Sequence, residues 1–109
     1  MKIVSNAFSL NMLTNDKERV MDMKPITLEE FTQEIKEGGW ESSVGHGDMA
    51  SLLSEMTGEK IPANRRNDSL GKEDILLVAQ YSGPRLPEGA TKLPEGAKIV
   101  FWKVWEIEK

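Results

Sequence analysis

The chain predicts an α/β fold in one domain spanning residues 1–109: a mixed β-sheet of about five strands with helices packed on it. Three observations point there. Segments with strand character stand at both ends of the chain, whereas helical periodicity is confined to its middle. The run Ile75-Leu76-Leu77-Val78-Ala79-Gln80-Tyr81 is apolar almost throughout, as expected of a central strand covered on both faces. With 109 residues, 39% hydrophobic and 29% charged, the chain can fill one modest core, and it contains no linker-like block.

Ile3 to Phe8 reads as the first strand, with Ile3, Ser5 and Ala7 on one face and Val4, Asn6 and Phe8 on the other. Ser9 to Leu13 follows as a loop or short helical turn. Arg19 to Met23 reads as a weaker strand at or near a sheet edge. Pro25 is expected to end it, because proline has no N–H for the ladder. A helix starts at Thr27, where Thr27 and Glu30 have the spacing of a capping box. Leu28, Phe31 and Ile35 share one face of it, and Gly38-Gly39 supplies the stop.

Trp40 to Gly47 reads as a polar, glycine-bearing loop. A second helix follows with Asp48 as N-cap, the stripe Met49, Leu52, Leu53 and Met56, and Gly58 as terminator. Residues 60–71 are irregular. After the strand at 75–81, Gly83 and Pro84 break the pattern, and Leu-Pro-Glu-Gly-Ala occurs twice, at 86–90 and 93–97. A seven-residue repeat is too short for a solenoid unit and reads as two local turns. The last strand runs from Ile99 to Ile107 and carries Phe101, Trp102 and Trp105.

Composition removes several classes of function. No cysteine is present, so disulfides, thiolate zinc sites and cysteine nucleophiles are out. The net charge of −4, from 14 Lys and Arg against 18 Asp and Glu, lacks the basic surplus on which non-specific nucleic-acid binding depends. Stable duplex DNA binding is therefore not expected, and a phosphodiester ligand would be a compact one met by a few placed cations. No stretch approaches the ~18 apolar residues of a membrane span. The N-terminus turns polar too soon for a secretory leader, so the expected location is cytoplasmic.

Few residues are suited to chemistry. His46, the single histidine, stands between Gly45 and Gly47 at a helix start, where free N–H groups and the positive dipole end favour phosphate. Asn6, Ser9 and Asn11 lie at the C-terminal end of the first strand, a place for either ligand contacts or ordinary loop capping. Arg65 and Arg66 form a phosphate clamp or a solvated pair. Arg85 and Glu88 flank a turn after a buried strand, as site residues or a surface ion pair. Gln80 needs a partner, either in the core or in a pocket. No acidic ligand spacing suggests a metal site, and no cofactor is expected. These residues alone define an anion pocket around His46 and leave a DNA-binding regulator as the contrasting reading.

Several segments together resemble a known family. They are Ser5-Asn6-Ala7-Phe8-Ser9-Leu10-Asn11-Met12-Leu13, Ser43-Val44-Gly45-His46, Asn64-Arg65, the strand ending at Gln80, and Arg85-Leu86-Pro87-Glu88-Gly89. In that order they look like the viral ring nucleases, small anti-CRISPR proteins of archaeal viruses and phages with cellular relatives. The resemblance implies a homodimer with a ligand cleft at its interface, binding cyclic tetra-adenylate, the second messenger of type III CRISPR systems. It implies His46 as general acid, with Arg85 and Glu88 beside it, and Asn6, Ser9, Asn11, Arg65 and Gln80 lining the ligand. The chain departs from the pattern at Asp48, where a small hydroxyl residue is expected, and at Pro87, where a polar one is. Glu95 repeats the Glu88 motif, but only Glu88 has an arginine three residues before it.

The implied reaction is a transesterification in which a ribose 2′-hydroxyl attacks its own phosphodiester. The products are linear di-adenylates with 2′,3′-cyclic phosphate ends, and no metal is required, because positioning and charge stabilisation carry the step. An imidazole titrates near neutrality and can protonate the leaving oxygen there. A non-catalytic binder that sequesters the ring would use the same pocket.

Overall fold

The computed structural model describes residues 1–13, 17–87 and 92–107, so Glu88 lies outside the described residues. Five strands form one sheet: β1 (Lys2–Ser5), β2 (Val20–Ile26), β3 (Trp40–Ser42), β4 (Ile75–Ser82) and β5 (Lys98–Ile107). Their order across the sheet is β2-β5-β4-β1-β3. β1 runs parallel to β3 and β4, while β5 is antiparallel to β4 and β2. The helices are α1 (Leu28–Glu37) and α2 (Gly47–Thr57). The expected mixed α/β sheet is present with its five strands, and β4 occupies the central position that its apolar run required.

Both sheet faces are covered, unequally. On one face Phe31 and Ile35 of α1 and Met49, Leu52 and Leu53 of α2 pack on Val4, Leu77, Ala79 and Phe101. The Phe31 and Phe101 rings meet at 4.8 Å between centroids, tilted by 41°. The other face carries Ile3, Leu76, Val78 and Val104 under Leu70 and the segment holding Phe8, Met12 and Leu13. Lys2 of β1 and Lys103 of β5, on either side of β4, both reach Glu34 of α1, at 3.0 and 2.7 Å. Hydrogen bonding from Lys103, and more weakly from Lys2, holds the Glu34 carboxyl below its ordinary range against the upward push of partial burial.

The α1 start follows its sequence signature. Thr27 Oγ1 accepts from the Glu30 N–H at 3.1 Å, and Glu30 Oε1 accepts from the Thr27 N–H at 3.1 Å. Gly38, at φ +76°, ends the helix.

Four local expectations need correction. β1 ends at Ser5 rather than Phe8, because the Ala7 N–H turns back to Ser5 Oγ (3.4 Å) and the chain leaves the ladder. Pro25 does not stop β2. It pairs opposite Trp102 on the edge strand, where a residue without an N–H is tolerated. Trp40–Ser42 is strand rather than loop, paired in parallel with β1 through a contact distant in sequence. The N-cap of α2 is His46, with Asp48 in the first turn.

Candidate functional site

The three parallel strands β3, β1 and β4 end together, and the residues that leave them build one cavity of about 470 Å³. Ligands in open α/β sheets bind at this carboxyl edge, where chains leave neighbouring strands and cannot fill the space between them. After β1 comes Asn6. After β3 come His46 and the start of α2, Asp48 and Met49. From β4 and its exit come Tyr81, Gly83, Arg85 and Leu86.

The loop that presents His46 is laced on three sides. The Ser43 N–H continues the ladder to the Val4 carbonyl at 2.7 Å, and the Val44 N–H meets Ser42 Oγ at 3.3 Å. Residues 63 and 64 run beside it: Val44 bridges Ala63, the Asn64 N–H donates to the Val44 carbonyl at 2.8 Å, and Asn64 Nδ2 donates to the Ser42 carbonyl at 2.8 Å. Finally, the Gly45 N–H donates to Asn6 Oδ1 at 3.2 Å, which ties the end of β1 to the residue before the histidine.

His46 emerges from this frame with its side chain uncommitted to capping. Its backbone is extended (φ −129°, ψ 133°), its carbonyl accepts from the Ala50 N–H at 3.0 Å, and its imidazole makes no capping bond. The ring is exposed at the cavity beside the N-terminus of an 11-residue helix. An imidazole, a guanidinium, an amide, the Asp48 carboxylate and a helix N-terminus therefore line one space. Such a set suits a phosphodiester: cation and dipole offset its charge, and the imidazole can deliver a proton.

The exit of β4 is held firmly. Gly83 has φ +142°, and a Cβ there would stand 2.7 Å from Ala97 Cα, so a side chain has no room. The Tyr81 hydroxyl donates to the Pro84 carbonyl. Leu86 packs against the helix-side core. Arg85, between them, is exposed and lines the cavity.

Residues 2–99 match the model of the STIV B116-like family. The chain belongs to that family. It is 31% identical over 93 residues to an uncharacterised protein, number 26, of Sulfolobus islandicus filamentous virus (isolate Iceland/Hveragerdi), a match covering 84% of this chain and 78% of the relative. Among solved structures it resembles B116 of Sulfolobus turreted icosahedral virus, with a TM-score of 0.81 at 25% identity over 95% of this chain and 97% of the other. Both relatives are viral proteins.

In this STIV B116-like chain the residues singled out from the sequence fall into three groups. Asn6, His46 and Arg85 share the cavity, and Arg65 lies beside the histidine loop: its Cγ is 3.8 Å from where a Cβ on Gly45 would stand. Ser9 and Asn11 line a separate hollow of about 430 Å³ with Arg66, Asn67 and Asp68. There Ser9 Oγ also caps a 3-10 turn, Leu10–Met12, by accepting from the Asn11 N–H at 3.2 Å. Gln80 is exposed on the sheet face opposite Tyr81, paired across from Val100. Arg66 is held by Asp68 at 2.9 Å and Glu41 at 3.5 Å, and Asp68 in turn accepts from Ser43 Oγ.

Five of the cavity's walls were not singled out as site residues: Tyr81, Asp48, Met49, Gly83 and Leu86. Tyr81 follows the exposed Gln80 and faces the other way, toward the helices. Among the described residues, no three His, Cys, Asp or Glu side chains stand together as a metal-binding group, and no helix is long and apolar enough to cross a membrane.

Proposed function

We propose that this protein is a metal-independent ring nuclease that cleaves cyclic tetra-adenylate into linear di-adenylates with 2′,3′-cyclic phosphate ends. One observation carries the reading: an imidazole free of any capping role shares a cavity with Arg85 and Asn6 at the N-terminus of α2. The ribose 2′-oxygen attacks the adjacent phosphorus, the bond from phosphorus to the 5′-oxygen breaks, and His46 gives its proton to that oxygen. The proton of the 2′-hydroxyl leaves to solvent. Arg85 and the helix N-terminus offset the charge that builds on the phosphorane oxygens, a contribution that is largest in a preorganised site. Asn6 keeps the histidine loop in register through Gly45.

A four-fold ring on a two-fold axis presents equivalent phosphodiesters to two subunits, so a homodimer gives two active sites per ring. In that assembly the hollow of Ser9 and Asn11, Arg65 and Gln80 serve the parts of the ring beyond the scissile bond, and Glu88 assists His46. Removal of the messenger would shut off type III CRISPR signalling in the cytoplasm, which accords with the viral origin of the relatives. Mass spectrometry of cyclic tetra-adenylate incubated with the protein in excess EDTA tests the proposal. Linear di-adenylates support it; an intact ring contradicts it. Light scattering tests the dimer, and a monomer at micromolar concentration contradicts the shared cleft.

A further inference from the structure

We infer that Tyr81 is a positioning residue for Arg85: its hydroxyl, bonded to the Pro84 carbonyl, fixes the turn from which Arg85 enters the cavity. The inference rests on the reading of Arg85 as the cation that meets the scissile phosphodiester. Arginine carries a long side chain with much rotamer freedom, and an exposed one gains little from weak local contacts. Aiming it at a reacting phosphate therefore depends on fixing its backbone. Three contacts do this. Before Arg85, Gly83 lies so close to Ala97 that a Cβ would stand 2.7 Å from Ala97 Cα and 2.8 Å from Ala97 Cβ. Immediately before it, Pro84 has a rigid ring on one side and its carbonyl held by Tyr81 on the other. Immediately after it, Leu86 docks on the core cluster.

Of these three, the Tyr81 bond is the one a single side-chain atom can remove. Tyr81 is half-buried, and the body of its ring packs on the core while its edge lines the cavity. Tyr81→Phe keeps that wall and deletes only the hydroxyl. The bond is solvent-exposed, so the fold does not depend on it, whereas the direction of the Pro84–Arg85 peptide does. The charge met by Arg85 is greatest in the transition state, so loosening Arg85 lowers kcat more than it raises KM.

The test is a double-mutant cycle with two independent readouts. Steady-state cleavage of cyclic tetra-adenylate is measured for the parent, Tyr81→Phe, Arg85→Ala and the double variant. Tyr81→Phe should lower kcat by roughly three- to tenfold with KM within about twofold, the scale of one exposed hydrogen bond. That loss should vanish in the Arg85→Ala background, because two residues acting through one contact are not additive. An undiminished loss in that background overturns the inference. Limited trypsin digestion, followed at the Arg85–Leu86 bond by mass spectrometry, supplies the second readout. Tyr81→Phe should speed that cut several-fold while the cuts after Arg65 and Arg66 keep their rates. An unchanged rate at Arg85 overturns the inference. If the parent leaves the ring intact, the functional reading of the site fails and the digestion alone decides what Tyr81 does.

Discussion

Asn6 Oδ1 accepts the Gly45 N–H at 3.2 Å, across 39 residues of chain. Through this bond the residue after β1 is tied to the loop after β3. His46 is the next residue along that loop. The aim of the only imidazole in the chain thus depends on a side chain from another element.

Asn6→Ala removes that acceptor and leaves a partly buried N–H without a side-chain partner. The expected cost to stability is about 1–2 kcal/mol, a fall in Tm of several degrees for a domain of this size. Ring cleavage should fall further than the stability loss explains, roughly tenfold or more, because a small shift of a proton donor is expensive. Parallel thermal unfolding and kinetics check this. Cleavage that is unchanged in a folded Asn6→Ala variant would show that the lacing does not serve His46.

Thr27→Ala gives the matching control on the far side of α1. It removes the Thr27 Oγ1 half of the capping box, leaving Glu30 on the backbone N–H of residue 27, and should cost about 1 kcal/mol, lowering Tm by roughly 4–8 °C. Thr27 contributes nothing to the cavity at the carboxyl edge, so kcat and KM at a temperature well below Tm should stay within about twofold of the parent. A melting scan beside the kinetics separates the two effects.

Much of this architecture was legible, and the failures have physical causes. The capping box at Thr27 and Glu30, the α2 stripe and the apolar run of β4 are local patterns that packing reinforces, and the structure contains them all. β3 escaped because three residues carry no periodicity, and Trp40–Ser42 becomes strand only by pairing with β1. Pro25 misled because an edge strand, which this segment was already expected to be, continues through a residue without an N–H. In the site, Asn6 and Arg85 were found because each lies at or just past the end of a strand, and His46 because it is the single histidine, set between two glycines at a helix start. Tyr81 was not, because its role comes from which sheet face it occupies and from a bond to Pro84, neither of which residue type reveals.

Glu34 couples stability to pH. Its folded-state carboxyl titrates below the ordinary glutamate value of about 4.3, chiefly through hydrogen bonding from Lys103. A depressed folded value adds stability that is present above the unfolded value and is lost as pH falls through the folded one. Glu34→Gln should therefore lower Tm at about pH 6, and the gap to the parent should shrink on acidification to about pH 3. Melting curves across that range check it; a gap of constant size would contradict the Lys2–Glu34–Lys103 linkage.

The most direct test of the central claim is the fate of cyclic tetra-adenylate with the parent and with His46→Ala, in excess EDTA, resolved by chromatography and mass spectrometry. His46 is exposed and its side chain makes no capping bond, so the variant should melt with the parent and differ only in chemistry. A ring nuclease with His46 as its acid should convert the ring to linear di-adenylates, and the variant should lose roughly 10²–10⁴ in rate. A parent that binds the ring without cutting it, or a His46→Ala variant as fast as the parent, would contradict that assignment.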